Sequence, residues 1–411
     1  MSEWESFRIK DFGKVVTGKT PPTVDKEFYN KGYKFVTPTD LDFNSYYIRH
    51  TQREVSEKAR NRYPNYFLPP DSVSYTCIGA TIGKSCLNRE YVLTNQQINS
   101  IIPNKSSNAR FIYYYLNAIT PSIVAVAGGA ATPIVNKSSF ESIKINVPPL
   151  PTQQKIAKTL SNYDDLIENN LKRIKLLEES ARLTYEEWFL RFRIDGKKLD
   201  IDPTTDLPFG WSNKSFNSIC KKISSGGTPS RANKKYWDFD DYDWVTTKEL
   251  RDGYIYDTKE KISLLGLEKS SAKLFPKGTI VMAIYASPTL GRLGVITKES
   301  CFNQAAVGFI IDENFISNEF LYCKLISERV GLNALAMGAA QQNINLAKVK
   351  NYEVVIPDLE LLQEFTNVTR PMFNEIENLG LQNQLLKEAR DILLPRLMTG
   401  MIDTDELDIA V

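Results

Sequence analysis

The stretch Gly79-Ala-Thr-Ile-Gly-Lys-Ser85, leaving the strand-like run at 72–78, has the residue types of a loop that cradles phosphate. Its spacing argues otherwise. A Walker loop sets four residues between its first glycine and the Gly-Lys-Ser/Thr end, so that successive backbone amides wrap a phosphate. Here only Ala80, Thr81 and Ile82 stand between, and residues 86–93 show no helical stripe to supply a helix N-terminus. Other chemistry is sparsely equipped. His50 is the single histidine in 411 residues, so a Ser-His or Cys-His nucleophile would have to be built on it, and an imidazole zinc site is excluded. The cysteines at 77, 86, 220, 301 and 323 form no CxxC pair. A fused adenine methyltransferase would carry Asn/Asp-Pro-Pro-Tyr/Phe, and the nearest approach, Asn146-Val-Pro-Pro149, has an insertion. No catalytic residue, metal or cofactor is expected.

Composition points to an ordinary globular protein. The chain is 42% apolar and 24% charged, and it is long enough for two or three domains. It has no apolar run of membrane-span length, and Met-Ser-Glu-Trp-Glu-Ser is not a signal peptide. Unpaired cysteines then predict a reduced, cytoplasmic setting without membrane contact. A net charge of +2 gives no whole-chain field. Basic residues cluster at Lys221-Lys222, at Arg231 with Lys234-Lys235, and at Arg60 with Arg62. Such clusters form either solvated surface or a local basic groove.

The elements that must position these residues occur twice. At an offset of about 208 residues, Gly18-Lys-Thr-Pro21 matches Gly226-Gly-Thr-Pro229, and Asp40-Leu41 matches Glu249-Leu250. In the same order, Thr81-Ile-Gly83 matches Thr289-Leu-Gly291, Asn95-Gln96 matches Asn303-Gln304, and Gly129-Ala-Ala131 matches Gly338-Ala-Ala340. Each repeat opens with short strand-like runs, such as Gly32-Tyr-Lys-Phe-Val-Thr37 and Thr279-Ile-Val-Met-Ala-Ile284, separated by turn residues. Helices are predicted at 111–116 and 319–325. Tyr46-Tyr47 and Tyr113-Tyr-Tyr115 read as core.

Each repeat closes with a long helix. Pro148-Pro149-Leu150-Pro151 blocks helix before Thr152, a candidate N-cap, and neither proline nor glycine recurs until Gly196. Ile156, Leu160, Tyr163, Ile167, Asn170, Ile174, Leu177, Ala181, Thr184 and Trp188 form a heptad seam. The second seam is Phe365, Thr369, Met372, Ile376, Leu379, Asn383, Leu386, Arg390, Leu393 and Leu397, with Pro371, Gly380 and Pro395 expected to interrupt or kink its helix. An antiparallel register sets Ile156 opposite Leu397, Asn170 opposite Asn383, and Thr184 opposite Thr369. Apolar residues off the seam (Leu166, Leu171, Leu176, Phe189 and Phe192) predict a further docking surface.

Gly226-Gly-Thr-Pro-Ser230 with Gly18-Lys-Thr-Pro-Pro22, Gly79-Ala-Thr-Ile-Gly-Lys84, Asn95-Gln96 and Val147-Pro-Pro-Leu-Pro-Thr-Gln-Gln-Lys-Ile156 carry a resemblance over nearly the whole chain. In order, duplication and attached helices the sequence resembles the DNA-specificity subunit of type I restriction-modification systems. Two departures are Gly18-Lys19 in place of paired glycines, and Asp358 and Glu360 where the Pro-rich signature has Pro149 and Pro151. The resemblance implies an α+β chain with two tandem α/β target recognition domains, at 1–150 and 196–358. Helical spacers at 151–195 and 359–411 pair as an antiparallel coiled coil with pseudo-twofold symmetry. It implies a non-catalytic subunit that reads an asymmetric, bipartite double-stranded DNA site, docks a pair of methyltransferase subunits, and joins restriction/translocase subunits. Candidate DNA contacts are Lys19, Thr20, Thr81, Lys84, Asn95 and Gln96 in the first repeat, with Thr228, Ser230, Arg231, Thr289, Arg292, Asn303, Gln304, Gln341 and Gln342 in the second. Motifs shared by halves that read different bases serve as scaffold or phosphate contacts. Base readers are therefore expected where the repeats diverge, at 42–62 against 251–269. The spacer rests on Ile156, Leu160, Ile167, Asn170, Ile174, Leu177, Ile376, Leu379, Asn383, Leu386 and Leu393. A coiled-coil bridge with two heads that bind no DNA is the competing reading.

Overall fold

A computed structural model describes residues 4–43, 45–127, 133–285, 288–336 and 343–404. The chain divides into two compact units, one of Met1–Ile167 with Leu385–Val411 and one of Glu168–Gln384.

In the first unit Gly13–Thr17, Ile98–Pro103, Val73–Thr76 and Ser85–Leu87 form one antiparallel sheet in that order. A second sheet orders Arg53–Val55, Tyr33–Val36, Val92–Thr94 and Phe67–Leu68. Its middle pair is parallel, Phe35 facing Leu93 and Val36 facing Thr94. Buried β-branched and aromatic side chains account for these strands; all four residues of Val73–Thr76 are buried. Helix Ala109–Ala118, capped by the Asn108 side chain accepting the Phe111 N–H, packs Phe111 against Phe12 and Tyr114 against Tyr46. Tyr46 and Tyr113 to Tyr115 are buried in this core.

The second unit repeats the plan. Cys220–Ser225, Ala306–Ile311, Ile280–Ala283, Leu293–Ile296 and Gly253–Ile255 form a five-stranded sheet. Tyr242–Val245 lies between Lys261–Ile262 and, in parallel, Ser300–Phe302. Helix Asn318–Ser327 matches Ala109–Ala118.

The long helices differ from their sequence reading in three ways. The first, Leu150–Tyr185, begins two residues before Thr152. Pro151 sits in its first turn, where the missing N–H has no intrahelical partner to lose, and the Gln153 side chain donates to the Pro148 carbonyl at 3.0 Å. This helix does not reach 195. It passes into a π-turn at Glu186–Leu190, and Phe192 (φ 55°) leads into a hairpin whose tight turn holds Gly196 (φ 77°). The second helix, Leu359–Met398, is unbroken across Pro371, Gly380 and Pro395. Asp358 explains its departure from the Pro-rich signature, because its carboxylate accepts the Leu361 N–H at 2.9 Å and caps the helix.

Gly380 is set by a close approach. The Tyr256 hydroxyl donates to the Glu377 carbonyl at 2.9 Å, and a Cβ on Gly380 would stand 2.0 Å from that hydroxyl. Within the second unit Asn170 Nδ2 donates to Asn383 Oδ1 at 3.1 Å, both side chains buried, in the pairing that the seam register sets. Arg173 pairs with Glu375 at 2.5 Å, so the partner number falls as the helix number rises, as antiparallel helices require. Leu379 and Ile376 are buried, Ile174 and Leu177 half-buried. Phe189 packs with Phe365, Phe320 and Trp211 in the core, and Phe192 meets Trp211 edge-on, so neither belongs to a free docking surface. Within the first unit Ile156 and Leu160 pack with Leu397 and Met398, flanked by Leu393; Ile167 is buried and Leu386 half-buried. There Arg390 pairs with Asp164, which also accepts the Tyr114 hydroxyl, all three side chains being buried.

Candidate nucleic-acid interface

In the first unit Lys19, Thr20, Asn95 and Gln96 converge on the end of the parallel strand pair. The Lys19 N–H donates to the Thr94 carbonyl at 2.8 Å, and the Asn95 N–H donates to Val36 at 3.0 Å. Thr20 Oγ1 then donates to Gln96 Oε1 at 2.5 Å. Gly18 permits this crossing, since a Cβ there would stand 2.1 Å from the Asn95 carbonyl. Asn95 Oδ1 accepts the Gln97 N–H at 3.1 Å, closing an Asx turn that projects exposed Gln96.

The second unit builds the same arrangement. The Gly227 N–H donates to Phe302 at 2.9 Å, the Asn303 N–H donates to Val245 at 3.1 Å, and Thr228 Oγ1 donates to Gln304 Oε1. Asn303 Oδ1 accepts the Ala305 N–H at 3.1 Å. Gly226 lies under the turn, its would-be Cβ 2.0 Å from the Phe302 carbonyl. The extra glycine of this repeat has its own reason: Ser271 O lies 1.9 Å from a Cβ placed on Gly227. In both units a threonine hydroxyl thus holds a glutamine amide oxygen and leaves the amide N–H₂ as an outward donor.

The glycine-lysine stretch is a turn between antiparallel strands. Gly79–Thr81 forms a short 3₁₀ turn, Thr81 Oγ1 donates to Ile78 at 2.6 Å, and Gly83 (φ 102°) occupies the left-handed region. Gly291 (φ 75°) does the same in the second unit, where the Arg292 N–H donates to Thr289 at 2.9 Å. Lys84, half-buried, donates to the Pro38 carbonyl at 3.1 Å and lies 5.9 Å from the Phe43 ring. Arg292 is exposed. Lys84 therefore joins the cluster formed by the 36–38 and 94–97 turns.

Arg231 is engaged within its own unit. Its two terminal nitrogens grip the Glu260 carboxylate at 2.7 and 2.8 Å, and its guanidinium lies 3.7 Å from the Trp237 ring centroid. The grip holds the Glu260 carboxyl below its usual value. Ser230 is exposed beside it, its carbonyl accepting the Trp237 indole at 3.3 Å. Gln341 and Gln342 lie outside the described residues. The sequence reading placed Arg53 and Arg60 in the divergent stretch 42–62 but missed their aromatic backing, Arg60 over Tyr33 and Tyr91 and Arg53 over Tyr29, and it missed Arg89 over Tyr47. These pairs are distant in sequence, and the pairing of 33–36 with 53–55 is what brings the 53–60 segment beside Tyr33.

The cysteines are buried, which pushes the Cys77 thiol up to about 11 and the Cys86 thiol to about 12. Among the described residues no group of three His, Cys, Asp or Glu side chains is placed to hold a metal ion, and no helix is long and apolar enough to cross a membrane.

The chain is similar to known proteins over both repeats. The family described as type I restriction modification DNA specificity domain matches residues 1–179 and 208–387. The MjaIX specificity subunit of Methanocaldococcus jannaschii is 29% identical, over 98% of this chain and 95% of its own length. The HindI specificity subunit of Haemophilus influenzae is 23% identical over 82% and 85%. In fold the chain is similar to the crystal structure of the type I restriction-modification S subunit from M. genitalium, with TM-score 0.59, 15% identity and 96% of each chain covered. Two matches to one family, one over each repeat and together covering most of the chain, show that the chain belongs to the type I restriction-modification DNA-specificity family.

Proposed function

We propose that this chain is the non-catalytic, sequence-reading subunit of a cytoplasmic type I restriction-modification complex, each unit reading one half of an asymmetric, bipartite double-stranded DNA site. One observation carries the reading. Both units set a threonine–glutamine pair at the end of the same parallel strand pair, beside segments that differ between the units. A shared frame with unlike flanks is what two half-sites of different sequence require. The frame residues Lys19, Thr20, Asn95 and Gln96, and Thr228, Ser230, Asn303 and Gln304, serve as register-setting contacts. Lys84 and Arg292 serve as phosphate contacts, alongside the turns of Thr81 and Thr289.

On this reading residues 1–150 and 196–358 are the recognition domains, and the helical segments between and after them are the spacer. The helices carry exposed leucines off the seam, Leu166 and Leu385 in the first unit and Leu176, Leu183 and Leu381 in the second. Such leucines suit two methyltransferase subunits, through which restriction subunits join. The test is enrichment from a random duplex pool by the full chain, alone and with methyltransferase subunits. A bipartite consensus is expected. Absence of any enriched duplex in the complex would leave the bridging scaffold as the better reading.

A further inference from the structure

The segments that differ between the units share one kind of tie to the frame, a carboxylate that bonds the chain at two places. In the first unit Asp40 Oδ2 accepts the Thr37 N–H at 2.8 Å and the Thr37 hydroxyl at 2.6 Å, while Oδ1 accepts the Gln52 N–H at 2.8 Å. In the second, Glu249 Oε2 accepts the Thr246 N–H at 2.6 Å and hydroxyl at 3.0 Å, while Oε1 accepts the Lys259 N–H at 2.8 Å. Asp40 and Glu249 hold matching places in the repeat, and both are half-buried. A carboxylate is suited to this because two oxygens can each satisfy a different part of the chain.

The anchored ends lie beside the threonine–glutamine turn. Thr37 and Thr246 directly follow Val36 and Val245, whose carbonyls accept the Asn95 and Asn303 N–H groups. Beyond each clamp the chain pairs antiparallel with the same strand it left, Phe35 facing Arg53 and Asp243 facing Lys261. Each clamp therefore ties the far end of its segment to the start, while the middle is held separately, by buried Tyr46 and Ile48 in the first unit and by strand Gly253–Ile255 in the second. The two segments differ in length, Gln52 lying 12 positions after Asp40 and Lys259 lying 10 positions after Glu249. They also differ in what they deliver. The first presents exposed Gln52 and Arg53, the arginine 5.8 Å from the Tyr29 ring. The second presents Lys259 and Glu260, the glutamate gripping Arg231.

We infer that Asp40 and Glu249 are positioning residues for half-site recognition. They hold loops 40–52 and 249–259 in register with the shared turn, so that Gln52-Arg53 and Lys259-Glu260 set the base preference of each half. The inference rests on the DNA reading proposed above. A segment end fixed by its own carboxylate places a glutamine or arginine fork within the angular tolerance that bidentate base contacts demand.

The experiment enriches random duplexes with the full chain in complex with methyltransferase subunits, comparing the unaltered protein with Asp40→Ala, Glu249→Ala, Asp40→Glu and Glu249→Asp. Each alanine variant is expected to lose about tenfold or more of its discrimination at one half-site only. The other half-site and the affinity for unrelated duplex stay within about twofold. Since either acid serves the role in one of the units, the acid exchanges recover most of the discrimination, which loss of a merely structural contact would not predict. The two clamps lie in different units, so either alanine variant tests the idea if the other melts. Wild-type preference at both half-sites in the alanine variants, or equal loss at both, overturns the inference while leaving DNA reading intact. No enrichment by the unaltered complex overturns DNA reading and this inference together.

Discussion

Lys84 and Arg292 hold the same place in their turns but not the same circumstances. Lys84 spends its ammonium on the Pro38 carbonyl, whereas Arg292 is exposed with no side-chain partner among the described residues. Arg292→Gln should weaken duplex binding uniformly across sequences and lower the salt slope of log affinity by about one, with Lys84→Gln having a smaller effect. Titrations at several salt concentrations check this; a base-specific loss would mark Arg292 as a reader. The buried trio Asp164, Arg390 and Tyr114 yields a second test. Burial raises the Asp164 carboxyl, and Arg390 and the Tyr114 hydroxyl pull it back without cancelling the rise. A folded-state value above the unfolded one gives stability that is full at low pH and lost as pH climbs through the folded value. Arg390→Met removes the main counterweight and should cost about 3 kcal/mol or more near neutrality, with the deficit shrinking as pH falls toward the ordinary carboxylate range. Melting temperature against pH measures it, and a pH-independent deficit would show that only packing was lost. In the sequence Arg390 reads as a seam position, but Asp164 stands one residue off the seam, and burial of that pair is set by Tyr114 far away in the chain.

Elements were legible where periodicity spoke and illegible where one partner lay elsewhere. The repeated strands, the helices near 111 and 319 and both long helices follow from local pattern. The helix limits do not, because Pro151 is tolerated in a first turn and because the end near Tyr185 depends on Phe189 entering a core built from distant residues. Gly380 shows the same limit. It reads as a helix breaker, yet its lack of a side chain admits the Tyr256 hydroxyl to the backbone. Alanine is the better helix former by about 1 kcal/mol, but Gly380→Ala should destabilise the protein by about 1–3 kcal/mol through that collision. In a Tyr256→Ala background the same change should become neutral or stabilising. Denaturant midpoints for the four proteins of this cycle decide it, and additive effects would mean that the contact does not matter. Asn170 and Asn383 make the complementary case, where the seam alone pointed to the pairing. Leucine at one of them strands the other buried amide, at a cost of about 1–3 kcal/mol, whereas leucine at both should raise stability and relax the register.

At the scale of the whole molecule the duplication is the most informative feature of the sequence, since it exposes which residues are frame and which are free to differ. Asn95 and Asn303, nominated as contacts, both close Asx turns, while the carboxylates that anchor the differing loops looked like ordinary acidic residues in the repeat. If the paired helices act as the spacer between half-sites, their length must be read out along the DNA. Removing one heptad from each helix keeps the seam in phase and shortens the spacer by about 10 Å at 1.5 Å per residue. At 3.4 Å per base pair, that is about three base pairs. The enriched consensus of such a variant should keep both half-sites and lose about three base pairs between them. Its affinity should also fall, because three base pairs turn the second half-site by roughly 100° around the duplex, given about 10.5 base pairs per turn. Deleting four residues instead would throw the seam out of register and should cost stability before it changes the spacer. A consensus whose spacing is unchanged by the heptad deletion, with both half-sites still enriched, would separate helix length from site spacing and remove the helices' role as a ruler.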